Sequence, residues 1–134
     1  MQRLAALVLL AGCNLADTDP AALIAARVPA REACGAAGWD GAPSDTVRRC
    51  VLSAMAAGRP FHALVDAPVA DGRDAVGWAS DGVAFVRLDY EATYGMFPGT
   101  DTEDLWWTDC AYLEARSPTC ASLDADLCLA CVLR

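Results

Sequence analysis

Few side chains in this chain could do chemistry. His62 is the single histidine, so any Ser–His–Asp or Cys–His unit would have to use it. It sits beside Phe61 in FHALVDA, which alternates like a strand, and no Gly-x-Ser-x-Gly turn accompanies it. We therefore expect an ordinary strand residue. Cys128-Leu129-Ala130-Cys131 has CxxC spacing. A redox dithiol wants a helix amino terminus, where the dipole lowers the thiol pKa, whereas these surroundings read as strand. Haem attachment needs a following histidine, and Val132 stands there. Zinc would need further thiolates, from Cys110 and Cys120. Structural disulfides are the expected state. Residues three apart on a strand face opposite sides, so Cys128 and Cys131 should bond different partners, such as Cys110 and Cys120. Carboxylates gather in Asp101-Thr102-Glu103-Asp104 and at Asp71 with Asp74. Paired carboxylates can hydrolyse glycosides and clustered ones can hold calcium, but EF-hand spacing is missing. Solvated acidic loops are expected, with no catalytic residue, no metal ligand and no cofactor. Trp78, Trp106 and Trp107 form a candidate binding patch, with Tyr90, Tyr94 and Phe97 nearby. Trp106 and Trp107, being adjacent on a strand, should point to opposite faces.

The chain has seven cysteines, and an odd count in a secreted protein needs a reason. The amino-terminal residues supply one. MQR is a charged start, Leu4 to Leu10 an apolar run, and Ala11-Gly12 a small-residue processing site. The run is too short to span a bilayer, which takes about 20 apolar residues. Leu10-Ala11-Gly12-Cys13 resembles the lipobox of bacterial lipoproteins. That resemblance implies diacylglyceryl transfer to the Cys13 sulfur, cleavage before it, and acylation of the new amino terminus. Two or more acyl chains give stable attachment where one does not. Asn14, in place of the aspartate associated with inner-membrane retention, leans the expectation toward the outer membrane. With Cys13 carrying lipid, Cys34, Cys50, Cys110, Cys120, Cys128 and Cys131 remain. In an oxidising compartment they read as three disulfides, among fifteen pairings that sequence alone does not decide.

The expected organisation is a signal peptide over 1–12, a lipidated cysteine and short tether over 13–20, and one domain over 21–134. Its length suits one core and no more. Formal net charge is -8, and all ten basic residues are arginine. Such acidity argues against nucleic acid as a partner and against a face lying on anionic lipid, leaving attachment to the anchor.

Pro20 can begin a short helix through Arg27, capped by Asp19. Beyond Cys34, Gly35, Gly38 and Gly41 suggest a loop around Trp39. PSDTVRRCVLSAMAAG is the clearest helix. Val47, Cys50, Val51, Ala54 and Met55 form its apolar stripe, with Ser44 or Asp45 as cap, Arg48 and Arg49 toward water, and Gly58 after the last turn. A bridge from Cys50 to Cys34 would tie the glycine loop to this helix. Phe61 to Ala67 reads as a strand. DAVGWAS and VAFVRLDYEA flank Ser80-Asp81-Gly82, a hairpin signal, with Ala84, Val86 and Leu88 on the core face. YGMFPGTDTED breaks the pattern as a loop, LWWTDCAYLEA resumes it, and LCLACVLR closes as an edge or final strand. The fold class is α+β: one main helix on a four- to five-stranded antiparallel sheet, stabilised by disulfides.

Cys34-Gly35, the helical Cys50, Gly58-Arg59-Pro60-Phe61 entering a strand, and the cysteine-rich tail together resemble small uncharacterised lipoproteins of myxobacteria and related groups. Those proteins carry a Gly-x-Asp-Ser turn and an Asp- and Gly-rich segment near the sheet. Here Asp71-Gly72-Arg73-Asp74 departs from the first, and Phe97-Pro98-Gly99-Thr100-Asp101 stands at the second. The resemblance implies no activity. The functional expectation is a membrane-anchored extracytoplasmic lipoprotein with a non-enzymatic, partner-binding or envelope role, its partners being the bilayer through acylated Cys13 and an envelope protein or glycan. The alternative is a small periplasmic or surface hydrolase using acidic side chains.

Overall fold

The computed structural model describes residues 19–27, 33–38, 41–116 and 126–134. Cys13, the signal segment, Trp39 and Cys120 lie outside them. The elements run α1 (Pro20–Arg27), β1 (Ala33–Gly38), α2 (Ser44–Ala57), β2 (Phe61–Val69), β3 (Gly72–Ser80), β4 (Phe85–Thr93), β5 (Thr102–Ala115) and β6 (Leu129–Leu133). All the strands join one sheet in chain order. β2 to β6 pair antiparallel, and β1 lies parallel to β2 at the edge.

The sheet is thus six-stranded and mixed, where four or five antiparallel strands were expected. The added strand is Ala33–Gly38, whose glycines suggest a loop. Gly35 and Gly38 do take positive φ, 85° and 137°, yet the segment still pairs with His62 to Asp66. Only glycine tolerates the φ at Gly38 together with its closeness to β2: an added Cβ would lie 2.1 Å from the Asp66 carbonyl oxygen.

Strand alternation sends neighbouring side chains to opposite faces, and both faces are used. On one, Val47, Val51 and Ala54 of α2 pack on Phe61, Ala63, Val65 and Trp78, with Leu113 and Leu129 extending the cluster. On the other, Ile24 of α1 packs on Ala79, Val86 and Leu88, and Ala21 lies against the cluster of Leu64, Ala75, Tyr90 and Ala92. A single core face was expected for β4. The second helix explains why Phe85 and Val86, on opposite sides, both pack against apolar neighbours.

α1 begins as its sequence suggests. Pro20 occupies the first turn, where a missing N–H costs nothing, and the Asp19 carboxylate accepts the Ala21 N–H at 3.0 Å. The helix can lie close because β3 has glycine beneath it. Ile24 carbons stand 3.2 and 3.3 Å from where a Cβ on Gly77 would be.

α2 corrects three expectations. Pro43 stands at the cap position with no side-chain capping bond, in place of Ser44 or Asp45. Cys50 lies on the exposed side of the helix rather than within the buried stripe. Arg48 turns inward, its guanidinium donating to the Leu127 and Arg116 carbonyls at 3.0 Å each, and so ties the helix to the end of β5 and the turn ahead of β6. Gly58 closes the helix in the left-handed conformation, φ 63°.

Two disulfides bracket the sheet. Cys34–Cys50 joins edge strand β1 to α2 with Cα atoms 5.5 Å apart. Cys110–Cys131 joins β5 to β6 at 5.2 Å. Cys128 is also disulfide-bonded. It is not on the strand, as had been expected: Leu127 and Cys128 both take left-handed backbone, φ 53° and 54°, in a turn ahead of β6. The Asp126 carboxylate accepts the Cys128 N–H at 3.0 Å.

Candidate functional site

The three tryptophans do not meet in one exposed patch. Trp78 is fully buried between α2 and the sheet. Trp107 faces α1, half-buried, with the Arg27 guanidinium 5.0 Å from its ring centre. Trp106 points to the opposite face, 48% exposed. Tyr90 is buried, whereas Tyr94 and Phe97 stand out in the loop after β4. Burial on two sides consumed most of the expected patch.

What Trp106 does join is a strip of the α2-side sheet face that α2 leaves open. Register builds it. Asp74, Glu91 and Asp104 are mutual partners across β3, β4 and β5, so their side chains stand abreast on one face. In the next row Val76, Asp89 and Trp106 are partners in the same way. A cavity of about 180 Å³ opens there, lined by Asp74, Val76, Asp89, Glu91 and Trp106. Like charges directly opposite one another destabilise a sheet. One carboxylate of the group is neutralised. Arg87 Nε donates to both Asp89 oxygens at 3.1 and 3.0 Å, and Nη2 adds a contact at 2.8 Å. The same guanidinium lies 6.0 Å from the Trp78 ring centre, lidding the core tryptophan. Asp74, Glu91 and Asp104 have no ion-pair partner among the described residues.

Ionised carboxylates accept hydrogen bonds and donate none. A ligand on this strip must therefore bring donors: an ammonium, a guanidinium or hydroxyls. The flat indole suits a cation or an apolar sugar face.

The α1-side face carries a separate polar group. Arg73 forks onto both Asp66 oxygens, through Nε at 2.9 and 3.0 Å and through Nη2 to Oδ2. The buried Tyr90 hydroxyl and one Glu103 oxygen each lack a hydrogen-bond partner among the described residues. Burial holds the Tyr90 hydroxyl above its ordinary pKa, and the Glu103 charge adds to the effect while Arg73 opposes it.

His62 lies on this face too, half-buried, beside a cavity of about 130 Å³ bordered by Ala21, Ile24, Gly35 and Ala36. Its Nδ1 has no hydrogen-bond partner among the described residues. The cavity lining holds no nucleophile or carboxylate beside it. Among the acidic loop residues, Asp101 serves the structure, since its carboxylate accepts the Gly95 N–H at 2.8 Å. Among the described residues no group of three or more potential metal ligands is assembled, and no helix is long and apolar enough to cross a membrane.

The residues that sequence reasoning passed over are Arg87, Asp89 and Glu91. Glu91 was not legible from the Asp-Gly signal: a two-residue Asp81-Gly82 turn would pair Ser80 with Val83, whereas the loop spans 81–84 and Ser80 pairs with Phe85, which sets Glu91 opposite Asp74. Comparison with known proteins found no matching family model, no matching curated sequence and no matching solved structure.

Proposed function

We propose that this chain is a lipoprotein of the bacterial cell envelope, held in the membrane by acylated Cys13, whose disulfide-bonded domain binds a partner and performs no catalysis. The outer membrane is its expected place. The cysteine inventory is the observation that carries the reading. Of seven cysteines, Cys34, Cys50, Cys110, Cys131 and Cys128 are in disulfides. Cys13 and Cys120 lie outside the described residues, and the LAGC context makes Cys13 the residue suited to lipid. Disulfides persist in extracytoplasmic compartments and are rare in the reducing cytosol, which agrees with export.

For the binding role, support comes from the open strip beside Trp106. An exposed indole next to three carboxylates without an ion-pair partner among the described residues, on a rigid sheet, suits a partner that offers cationic or hydroxyl groups. The test is the Cys13→Ser variant expressed with its own leader. The domain should keep its disulfides and its fold while moving from the membrane fraction to the soluble one. Retention in the membrane equal to wild type defeats the anchor.

A further inference from the structure

We propose that the loop joining β4 to β5, residues 94–101, is a second membrane contact, with Met96 and Phe97 seated in the interfacial layer of the bilayer that holds acylated Cys13. The inference rests on the anchor reading and adds an orientation to it.

The loop presents apolar side chains to water on an ordered frame. Met96 is 93% exposed, Phe97 69% and Tyr94 47%. The frame is hydrogen-bonded at Tyr94, Gly95, Phe97 and Thr100. The Tyr94 N–H donates to the Asp71 carbonyl at 2.7 Å, and the Gly95 N–H to Asp101 at 2.8 Å. The Thr100 hydroxyl donates to the Phe97 carbonyl at 2.6 Å, and the Thr100 N–H to the same oxygen at 3.2 Å. Gly99, at φ 79°, makes the return turn. A loop held this way keeps its methionine and phenylalanine pointing out instead of folding them onto the core.

Position names the occupant. Strand ends Gly72, Thr93 and Thr102 are register partners and mark one end of the sheet. The loop leaves from that end. α1 begins toward that end, since Ala21 packs against the cluster of Leu64, Ala75, Tyr90 and Ala92 while Ile24, further along, packs with Ala79, Val86 and Leu88. Between Asp19 and Cys13 there are only six residue steps, which span at most about 22 Å when fully extended. A lipid on Cys13 therefore keeps the bilayer within that reach of the start of α1, on the side of the sheet end that carries Met96 and Phe97. The loop contains no basic residue, so the contact is one of apolar and aromatic groups at the interface and not of charge with anionic headgroups. The tether also makes weak insertion sufficient, because it holds the loop at high local concentration beside the membrane.

Methionine methyl spectroscopy provides the test. Full-length protein purified with its anchor is labelled at the methionine methyls and placed in phosphatidylcholine nanodiscs containing a spin-labelled lipid. Met55 is the internal control. It lies near the carboxyl end of α2, where Gly58 approaches Gly82 at the far end of the sheet. The expected result is a Met96 signal broadened several-fold more than that of Met55, the assignment being made with a Met96→Leu variant. Equal or absent broadening of Met96 in protein that co-elutes with the discs overturns the loop contact and leaves the anchor standing. Protein that elutes apart from the discs overturns both. A Met96 signal indifferent to lipid but shifted by an envelope protein fraction assigns the loop to a protein partner and likewise overturns the proposal.

Discussion

Replacing Cys34 and Cys50 together with alanine severs the covalent link between β1 and α2. β1 has little else to hold it. Its sequence is ACGAAG, and only Ala37 is fully buried. Its one neighbouring strand is β2, with an irregularity between Ala33 and Gly35, and on its other side it has only an isolated bridge from Ala37 to Ala42, where the Ala42 N–H donates to the Ala36 carbonyl at 2.9 Å. The bridge closes a loop of sequence separation 16, for which the chain-entropy account gives about 3 kcal/mol. In a domain of this size each kcal/mol moves the midpoint by about 4 °C. Thermal unfolding followed by circular dichroism should therefore show a Tm lowered by roughly 10–15 °C. Hydrogen exchange should localise the loss, with the amides of Ala33 to Gly38 losing protection well before those of β3 and β4. A variant that unfolds within about 1 kcal/mol of wild type, or that keeps β1 protection, would refute the view that the bridge is what retains this strand.

Three further outcomes follow from the packing. Gly77→Val adds methyl groups beyond a Cβ position that Ile24 and Leu64 carbons already approach to 3.2–3.3 Å, so chemical denaturation should show a loss of about 1–3 kcal/mol from overpacking. Tyr90 has its folded pKa raised above the ordinary value near 10. The stability carried by this difference is complete below that ordinary value and is lost as pH rises from there through the folded value, because burial disfavours the phenolate. Tyr90→Phe should therefore flatten the stability profile above about pH 10; an unchanged slope contradicts this. Trp106→Ala should change stability by less than about 0.5 kcal/mol, as for an exposed site, while reducing cross-linking to partners in intact envelopes. Cross-linking at wild-type yield would remove Trp106 from the binding strip.

Local signals carried much of this fold. The α2 stripe was readable because Val47, Val51 and Ala54 recur at helical spacing and all three are buried. The β3–β4 hairpin was readable from Asp81-Gly82. Asp81 accepts the Val83 and Ala84 N–H groups at 2.8 Å each, and these bonds lower its pKa. β1 was not readable. Small residues and glycines have no strand preference of their own, and Ala33–Gly38 is a strand because β2, reached only through α2, pairs with it.

The inward turn of Arg48 and the outward place of Cys50 depend on where β6 and β1 end up, which no local periodicity encodes. The candidate site divides the same way. The alternation of Trp106 and Trp107 was legible, whereas the burial of Trp78 required knowing that α2 and Arg87 cover it. Asp104 joins the carboxylate row only through the β4–β5 register, which depends on the loop 94–101 and not on a tight turn.

The proposed envelope role stands chiefly on the chemistry of Cys13. The most direct measurement is mass spectrometry of the amino-terminal peptide from protein purified out of native membranes. The predicted result is a peptide that begins at Cys13 and carries a thioether-linked diacylglyceryl group with an acylated amine. A peptide that begins at Met1, or one in which the Cys13 sulfur is free or paired with another cysteine, would contradict it.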